Sequence, residues 1–296
     1  MLLPILLYAS LVSDVRSLIA HNDMAAAEAQ VRKAEAQNGA TPEVALAFSW
    51  LARGELNAKS YDRADALATE TRKLCDKLLA GRKLDAEPNL PIALGASIEV
   101  HAQVMAARGE RSDGVAFLED QAKLFGNTSI VERIRKNENL LSLEGKPAPP
   151  LDVQDFLGPK PKSLAELRGH PVLLFFWAHW CGDCKHDSPI LADIIREYTP
   201  KGLVAIAPTK LYGYVAGGTD APPVQERSYI EEVWKKYYPG WSSVPVPVSA
   251  ANFQTYGSST TPTIVLIDGA GIVRYYHPGS ATAAELISRI QSLIGK

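Results

Sequence analysis

The chain is 296 residues long and carries 31 basic and 33 acidic residues, a formal net charge of -2. That length suits two domains, each large enough to bury its own core, and the near-neutral balance offers no electrostatic footprint for nucleic acid or anionic lipid, leaving proteins and small molecules as partners. A hydrophobic share of 46% and a charged share of 22% are those of an ordinary soluble globular protein, and no stretch reads as the ~20 apolar residues of a membrane span.

Residues 1–12 are strongly apolar, with Leu2, Leu3, Ile5, Leu6 and Leu7 followed by the small residues Ala9 and Ser10. They read equally as the apolar core of a secretory signal or as a buried first helix, because no Lys or Arg precedes Arg16 to supply a positive leader. Cys75, Cys181 and Cys184 are too few for a disulfide-stapled scaffold. The compartment therefore does not follow from cysteine number.

From Val12 to Leu143 the sequence is rich in Ala, Leu, Glu, Arg and Lys without strand-like alternation, which predicts an all-helical domain over residues 1–144. Polar turns enter helices at Asn22–Ala27, Ser60–Ala64 and Gly109–Gly114, each with a small residue where two helices can approach closely. The segment from Glu43 to Asp76 resembles one tetratricopeptide repeat, with Phe48, Leu51 and Ala52 on its first helix and Tyr61, Ala64 and Ala68 on its second. The small positions Ala27, Ala64 and Gly114 depart from that family's spacing of about 34 residues, and an insertion at 81–91 with Pro88 and Pro91 accounts for the longer interval. The expectation is a degenerate array of helical hairpins, serving packing or self-association, or else binding a protein partner.

The run Gly145-Lys146-Pro147-Ala148-Pro149-Pro150 cannot continue a helix and marks the start of a second domain, 145–296. Apolar runs at Pro171–Ala178, Leu203–Pro208 and Thr263–Asp268 read as buried strands, and Ile272–His277 forms a hairpin with the last of them through Asp268–Gly271. Helices are expected at Cys184–Tyr198, Val224–Tyr238 and Thr282–Ile294. This order predicts an α/β fold with a mixed sheet flanked by helices. A long loop between Thr209 and Val224 reads as surface decoration.

The chemistry lies in Phe176-Trp177-Ala178-His179-Trp180-Cys181-Gly182-Asp183-Cys184-Lys185-His186-Asp187. A C-x-x-C directly after a buried strand and at the first turn of a helix is a redox motif in context. Unpaired amides and the positive end of the helix dipole favour the Cys181 thiolate, making Cys181 the nucleophile. Cys184, one turn on, resolves the mixed disulfide that results. Gly182 keeps the turn open to a substrate backbone, while Asp183 adds negative charge that offsets part of the depression in the thiol pKa.

Trp177 to Cys184 resembles the W-A-x-W-C-x-x-C signature of thioredoxin-like proteins, and residues 145–296 resemble their TlpA/ResA-like branch, which enters through G-K-x-A-P as at Gly145–Pro149. The resemblance implies a thioredoxin-like disulfide oxidoreductase, a reductase by expectation, in a bacterial, extracytoplasmic setting: periplasmic or membrane-associated. It implies disulfide-containing protein substrates, an electron-donor protein, and no cofactor beyond a redox-active Cys181-Cys184 disulfide. Thr261-Pro262 matches the family's cis-proline loop, so Trp180, Gly182, Asp183, Thr261 and Pro262 are expected to contact substrate. Phe175 stands where thioredoxin carries its buried aspartate, and Asp187 matches the acid that the ResA-like branch places after its second cysteine. Asp187 is therefore the expected acid/base for Cys184.

An alternative is copper or zinc binding by Cys181, Cys184 and a nearby histidine, His179 or His186. Copper-delivery proteins on this fold, however, usually space their cysteines C-x-x-x-C with a distant histidine. Cys75, inside a helical run, reads as a small buried hydrophobe.

Overall fold

The structure is a computed structural model that describes residues 10–294; the signal-segment reading of residues 1–12 lies, at positions 1–9, outside the described residues. The chain divides into two compact units, residues 1–137 and 138–296.

The first unit is built from α1 (Leu11–Ala20), α2 (Met24–Asn38), α3 (Pro42–Asn57), α4 (Tyr61–Leu79), α5 (Asn89–Ala107) and α6 (Arg111–Leu124), with the start of α7 (Val131–Ser142). Local chemistry sets these boundaries. Asp23 caps α2 by accepting from the Ala26 N–H, and Thr41 caps α3 the same way through Val44, with Pro42 in the first position where a missing N–H costs nothing. The 81–91 segment holds a short 3-10 turn at Leu84–Ala86, and Glu87 then accepts from the Asn89 and Leu90 N–H groups to open α5.

Ala27, Ala64 and Gly114 are all buried, as their small size suggested. Ala27 and Ala64 share a core with Val31, Phe48, Leu51, Leu67, Val100 and Val104. One expectation is corrected here. Helix α5 has 19 residues and holds an 18-residue window with a mean hydropathy of 1.3, by length and composition enough to cross a membrane. In the fold it packs against α3, α4 and α6 and buries Leu90, Leu94, Ile98 and Val104, so its apolarity is spent on the helical core.

The second unit holds a four-stranded sheet of β2 (Val172–Phe176), β3 (Val204–Ile206), β5 (Thr263–Ile267) and β6 (Val273–Pro278) in the order β3-β2-β5-β6. β2 and β3 are parallel, while β5 runs antiparallel to both β2 and β6. A two-residue pair, β1 (Phe156–Leu157) with β4 (Val246–Pro247), forms a separate antiparallel ribbon. The helices are α8 (Gly182–Tyr198), α9 (Pro223–Tyr237), α10 (Ala250–Tyr256) and α11 (Ala283–Leu293).

Both sheet faces are covered, which explains the uninterrupted apolar runs. Leu173, Phe175, Ile264 and Leu266 point to one face, packed with Leu191 and Ile194 of α8, Ile230 and Val233 of α9, and Leu286 and Ile290 of α11. Val172, Leu174, Phe176 and Val265 point to the other, packed with Phe253 and Tyr256 of α10 and with Leu143 and Leu151. The two-residue period of a strand thus sorts one apolar run into two cores.

Candidate active site

Strand β2 ends at Phe176 and hands the chain to a rigid bend. The Trp177 N–H donates to the Pro208 carbonyl, its indole Nε1 donates to the Ala207 carbonyl at 3.1 Å, and the Thr209 hydroxyl donates to the Trp177 carbonyl at 2.9 Å. Trp177 is fully buried in a ring cluster with Trp234 and Tyr238, to which Phe175 and Trp241 also belong. The segment that presents the dithiol is therefore fixed by packing and hydrogen bonds together.

Cys181 is the N-cap of α8, and its Sγ accepts from the Cys184 N–H at 3.0 Å. A sulfur in that position sits among unpaired helix amides, where negative charge is stabilised. Cys181 and Cys184 are joined as a disulfide, with both side chains almost wholly buried. Gly182 and Asp183 are exposed in the first turn of α8. An added Cβ at Gly182 meets no atom within 4 Å, so the glycine leaves open surface beside the sulfurs rather than relieving strain. Trp180, immediately before Cys181, is 48% exposed.

The Thr261–Pro262 peptide bond is cis. The register pairs Thr263 with Phe176, so the Thr261-Pro262 loop leaves the same end of the sheet as the Trp177–Cys181 segment. Thr261 Oγ1 is buried without a hydrogen-bond partner among the described residues.

Asp187 lies three residues after Cys184 on α8, a spacing that puts both on one helix face. It is buried, and its Oδ2 has no hydrogen-bond partner among the described residues. Tyr238 OH is likewise buried and unpartnered. Burial, reinforced by the charge of Asp187, drives the Tyr238 hydroxyl far above its usual pKa, so it stays protonated.

His179 turns away from solvent. Its Nε2 faces Glu226 Oε1 of α9 at 3.3 Å, both side chains are 1% exposed, and the rings of Tyr212, Tyr214 and Tyr229 surround the imidazole edge-on. Burial holds His179 below its ordinary pKa against the opposing pull of Glu226. Glu226 also accepts from the Tyr212 and Gly213 N–H groups, which anchors the loop after Thr209. The sequence reading missed Glu226; its only signal was an acid early in a helix, indistinguishable there from a solvated one. His186 is exposed, and no group of three or more His, Cys, Asp or Glu side chains is arranged to hold a metal among the described residues. Cys75 is fully buried, its thiol pushed up to about 12 by desolvation, as befits a packing residue.

Residues 143–289 match the Redoxin family. The chain is 25% identical over 149 residues to the thioredoxin-like protein YneN of Bacillus subtilis, covering 50% of this chain and 78% of that protein. It is 28% identical over 144 residues to the thiol-disulfide oxidoreductase ResA of Bacillus thuringiensis, covering 48% and 73%. It is 27% identical over 140 residues to the thiol:disulfide interchange protein DsbE of Xylella fastidiosa, covering 47% and 63%. The C-terminal half of the chain is a TlpA/ResA-type thioredoxin-like segment. Among solved structures, a thiol-disulfide isomerase from Corynebacterium glutamicum is similar at 22% identity and a TM-score of 0.41, covering 51% of this chain and 97% of that one.

The thioredoxin-like domain makes the chain a thiol-disulfide oxidoreductase that works through the Cys181/Cys184 pair. The metal-binding alternative gains nothing from the geometry, since His179 is committed to Glu226.

Proposed function

We propose that the chain reduces disulfides in protein substrates, with Cys181 as nucleophile, Cys184 as resolving thiol and Asp187 as the acid/base. The observation that carries this reading is the Cys181 sulfur at the N-cap of α8, receiving the Cys184 N–H. In the reduced protein the Cys181 thiolate attacks one sulfur of the substrate disulfide; that bond breaks and the first substrate thiolate leaves. Cys184 loses its proton to Asp187 and attacks the Cys181 sulfur, forming the Cys181-Cys184 bond and expelling the second substrate thiolate. The substrate gains two electrons and the dithiol loses two. An electron-donor protein then returns the pair to its reduced form, and no cofactor beyond the cysteine pair is needed.

Trp180, Gly182, Asp183, Thr261 and Pro262 are read as the surface that meets the substrate chain. The exposed indole of Trp180, the open space beside Gly182 and the Thr261 hydroxyl, which has no hydrogen-bond partner among the described residues, support that reading. The ResA-type likeness supports an extracytoplasmic place of action, and the helical unit is read as a packing or self-association module.

The test is trapping. Cys184→Ser is expected to accumulate a mixed disulfide with insulin through Cys181, and Cys181→Ser to form none. The pair's equilibrium potential is expected to be more negative than the roughly -220 to -260 mV of a glutathione pool. A wild-type chain that turns over neither insulin nor DTNB sinks the assignment, and a potential near that of a strong oxidant reverses its direction.

A further inference from the structure

The loop that follows Thr209 is a closed hairpin. The Val215 N–H donates to the Thr219 carbonyl and the Ala221 N–H to the Gly213 carbonyl, with a further bridge between Tyr214 and Asp220. At its base the Glu226 carboxylate accepts from two consecutive backbone N–H groups, one of them on Gly213, whose φ of 87° a side chain would disfavour. The third group at that carboxylate is His179 Nε2, two residues before the nucleophile.

A carboxylate only 1% exposed is costly unless its lone pairs are met, and here the partners are two N–H groups of the hairpin on one side and the His179 ring, just ahead of Trp180 and Cys181, on the other. An apolar side chain would fill the same space without tying these segments together. The tie has a direct effect at the surface. Tyr212, whose N–H is held, packs its ring edge-on against Trp180 at 5.5 Å and against His179 at 5.5 Å. Trp180 is the exposed indole beside Cys181. Left unbraced, its broad ring would sample several orientations across the site.

We propose that Glu226 is a positioning residue for substrate capture: it fixes the hairpin so that Tyr212 and Trp180 form one wall beside Cys181, on which the polypeptide flanking a substrate disulfide lies. This rests on the reading that Cys181 and Cys184 exchange with protein disulfides. A Trp-Tyr wall suits apolar and aromatic residues of the flanking chain, gripped through ring area at low entropic cost.

The experiment is steady-state insulin reduction by the full chain with dithiothreitol as reductant. Glu226→Gln keeps the shape but replaces an acceptor oxygen with an NH2 group that opposes one of the N–H donors. It is expected to raise the KM for insulin about tenfold, as loss of a charge-assisted hydrogen bond would, with kcat within about twofold. Tyr212→Ala, at a half-buried position of the loop, is expected to give the same rise, and Tyr212→Phe, which keeps the ring that meets Trp180, to reverse it. Val233→Ala, buried on the same helix, controls for lost stability and is expected to leave KM unchanged.

An unchanged KM in Glu226→Gln, a fall in kcat alone, or an equal rise in Val233→Ala overturns the proposal. Should Glu226→Gln not fold, the Tyr212 pair decides it. Wild type inactive toward both insulin and DTNB would instead remove the reading beneath it, while wild type active on DTNB alone overturns the capture of proteins.

Discussion

Asp187 and Glu226 are both buried carboxylates near the dithiol, yet among the described residues both oxygens of Glu226 meet hydrogen-bond partners while Oδ2 of Asp187 meets none. A saturated carboxylate holds structure in place; one with an oxygen left unpaired is better suited to accept and return a proton. Asp187→Asn is therefore expected to slow resolution of the mixed disulfide by about a hundredfold, the usual scale of a lost general base. Single-turnover quenching of the mixed disulfide measures it, and unaltered kinetics remove Asp187 from the mechanism. His179 supports a different prediction. An unfolded histidine takes up its proton near 6.5, whereas burial keeps the folded His179 below that value. Below about pH 6.5 the unfolded chain thus binds the additional proton, and stability falls with pH by up to ~1.4 kcal/mol per pH unit from this group. The charged and titratable groups facing it are Glu226 on α9, Lys185 on α8, and the hydroxyl rings of Tyr212, Tyr214 and Tyr229. His179→Gln keeps an amide donor toward Glu226 without titrating, so its urea-unfolding free energy should fall less steeply between pH 7 and 5. Parallel curves for the two proteins would refute the assignment.

At the scale of elements, α5 is the sharpest case, because its sequence alone satisfies the length and hydropathy of a span. If it is the core of the helical unit, Leu94→Ala should cost ~2 to 5 kcal/mol in urea unfolding, since Leu94 is fully buried and the cavity it leaves is enclosed by packed helices. No change in midpoint would deny α5 that place. The strands of the sheet were legible because uninterrupted apolar runs such as 172–176 leave few other readings. The ribbon of β1 and β4 was not, since two-residue strands have no period to detect. Helix α10 was missed for a related reason: seven residues span barely two turns, and Phe253 and Tyr256 alone draw no stripe. In the site the cysteines are legible from their spacing at a strand-to-helix junction, and Pro262 and Asp187 from the thioredoxin-like resemblance. Glu226 reaches His179 across 47 positions of sequence, and only folding brings them together.

For the whole molecule the open matter is where the redox unit begins. The proline run suggests residue 145, but Leu143 is buried in the sheet's second core beside Leu151 and Phe253, and Glu144 accepts from the Tyr276 N–H of β6. Asn139 donates to the Thr255 carbonyl in the last turn of α10. These residues belong by their contacts to the second unit, in accord with its start at 138. A fragment of residues 138–296 should therefore reduce DTNB within about twofold of the full chain, the agreement expected when distant sites act independently. A fragment of residues 145–296 should be less stable than that one by ~2 to 5 kcal/mol, the scale of one deleted core leucine. Urea unfolding of the two fragments side by side measures the difference. Equal midpoints would show that the residues ahead of the prolines contribute nothing to the thioredoxin-like core, and an inactive 138–296 fragment would show that the helical unit takes part in the chemistry itself.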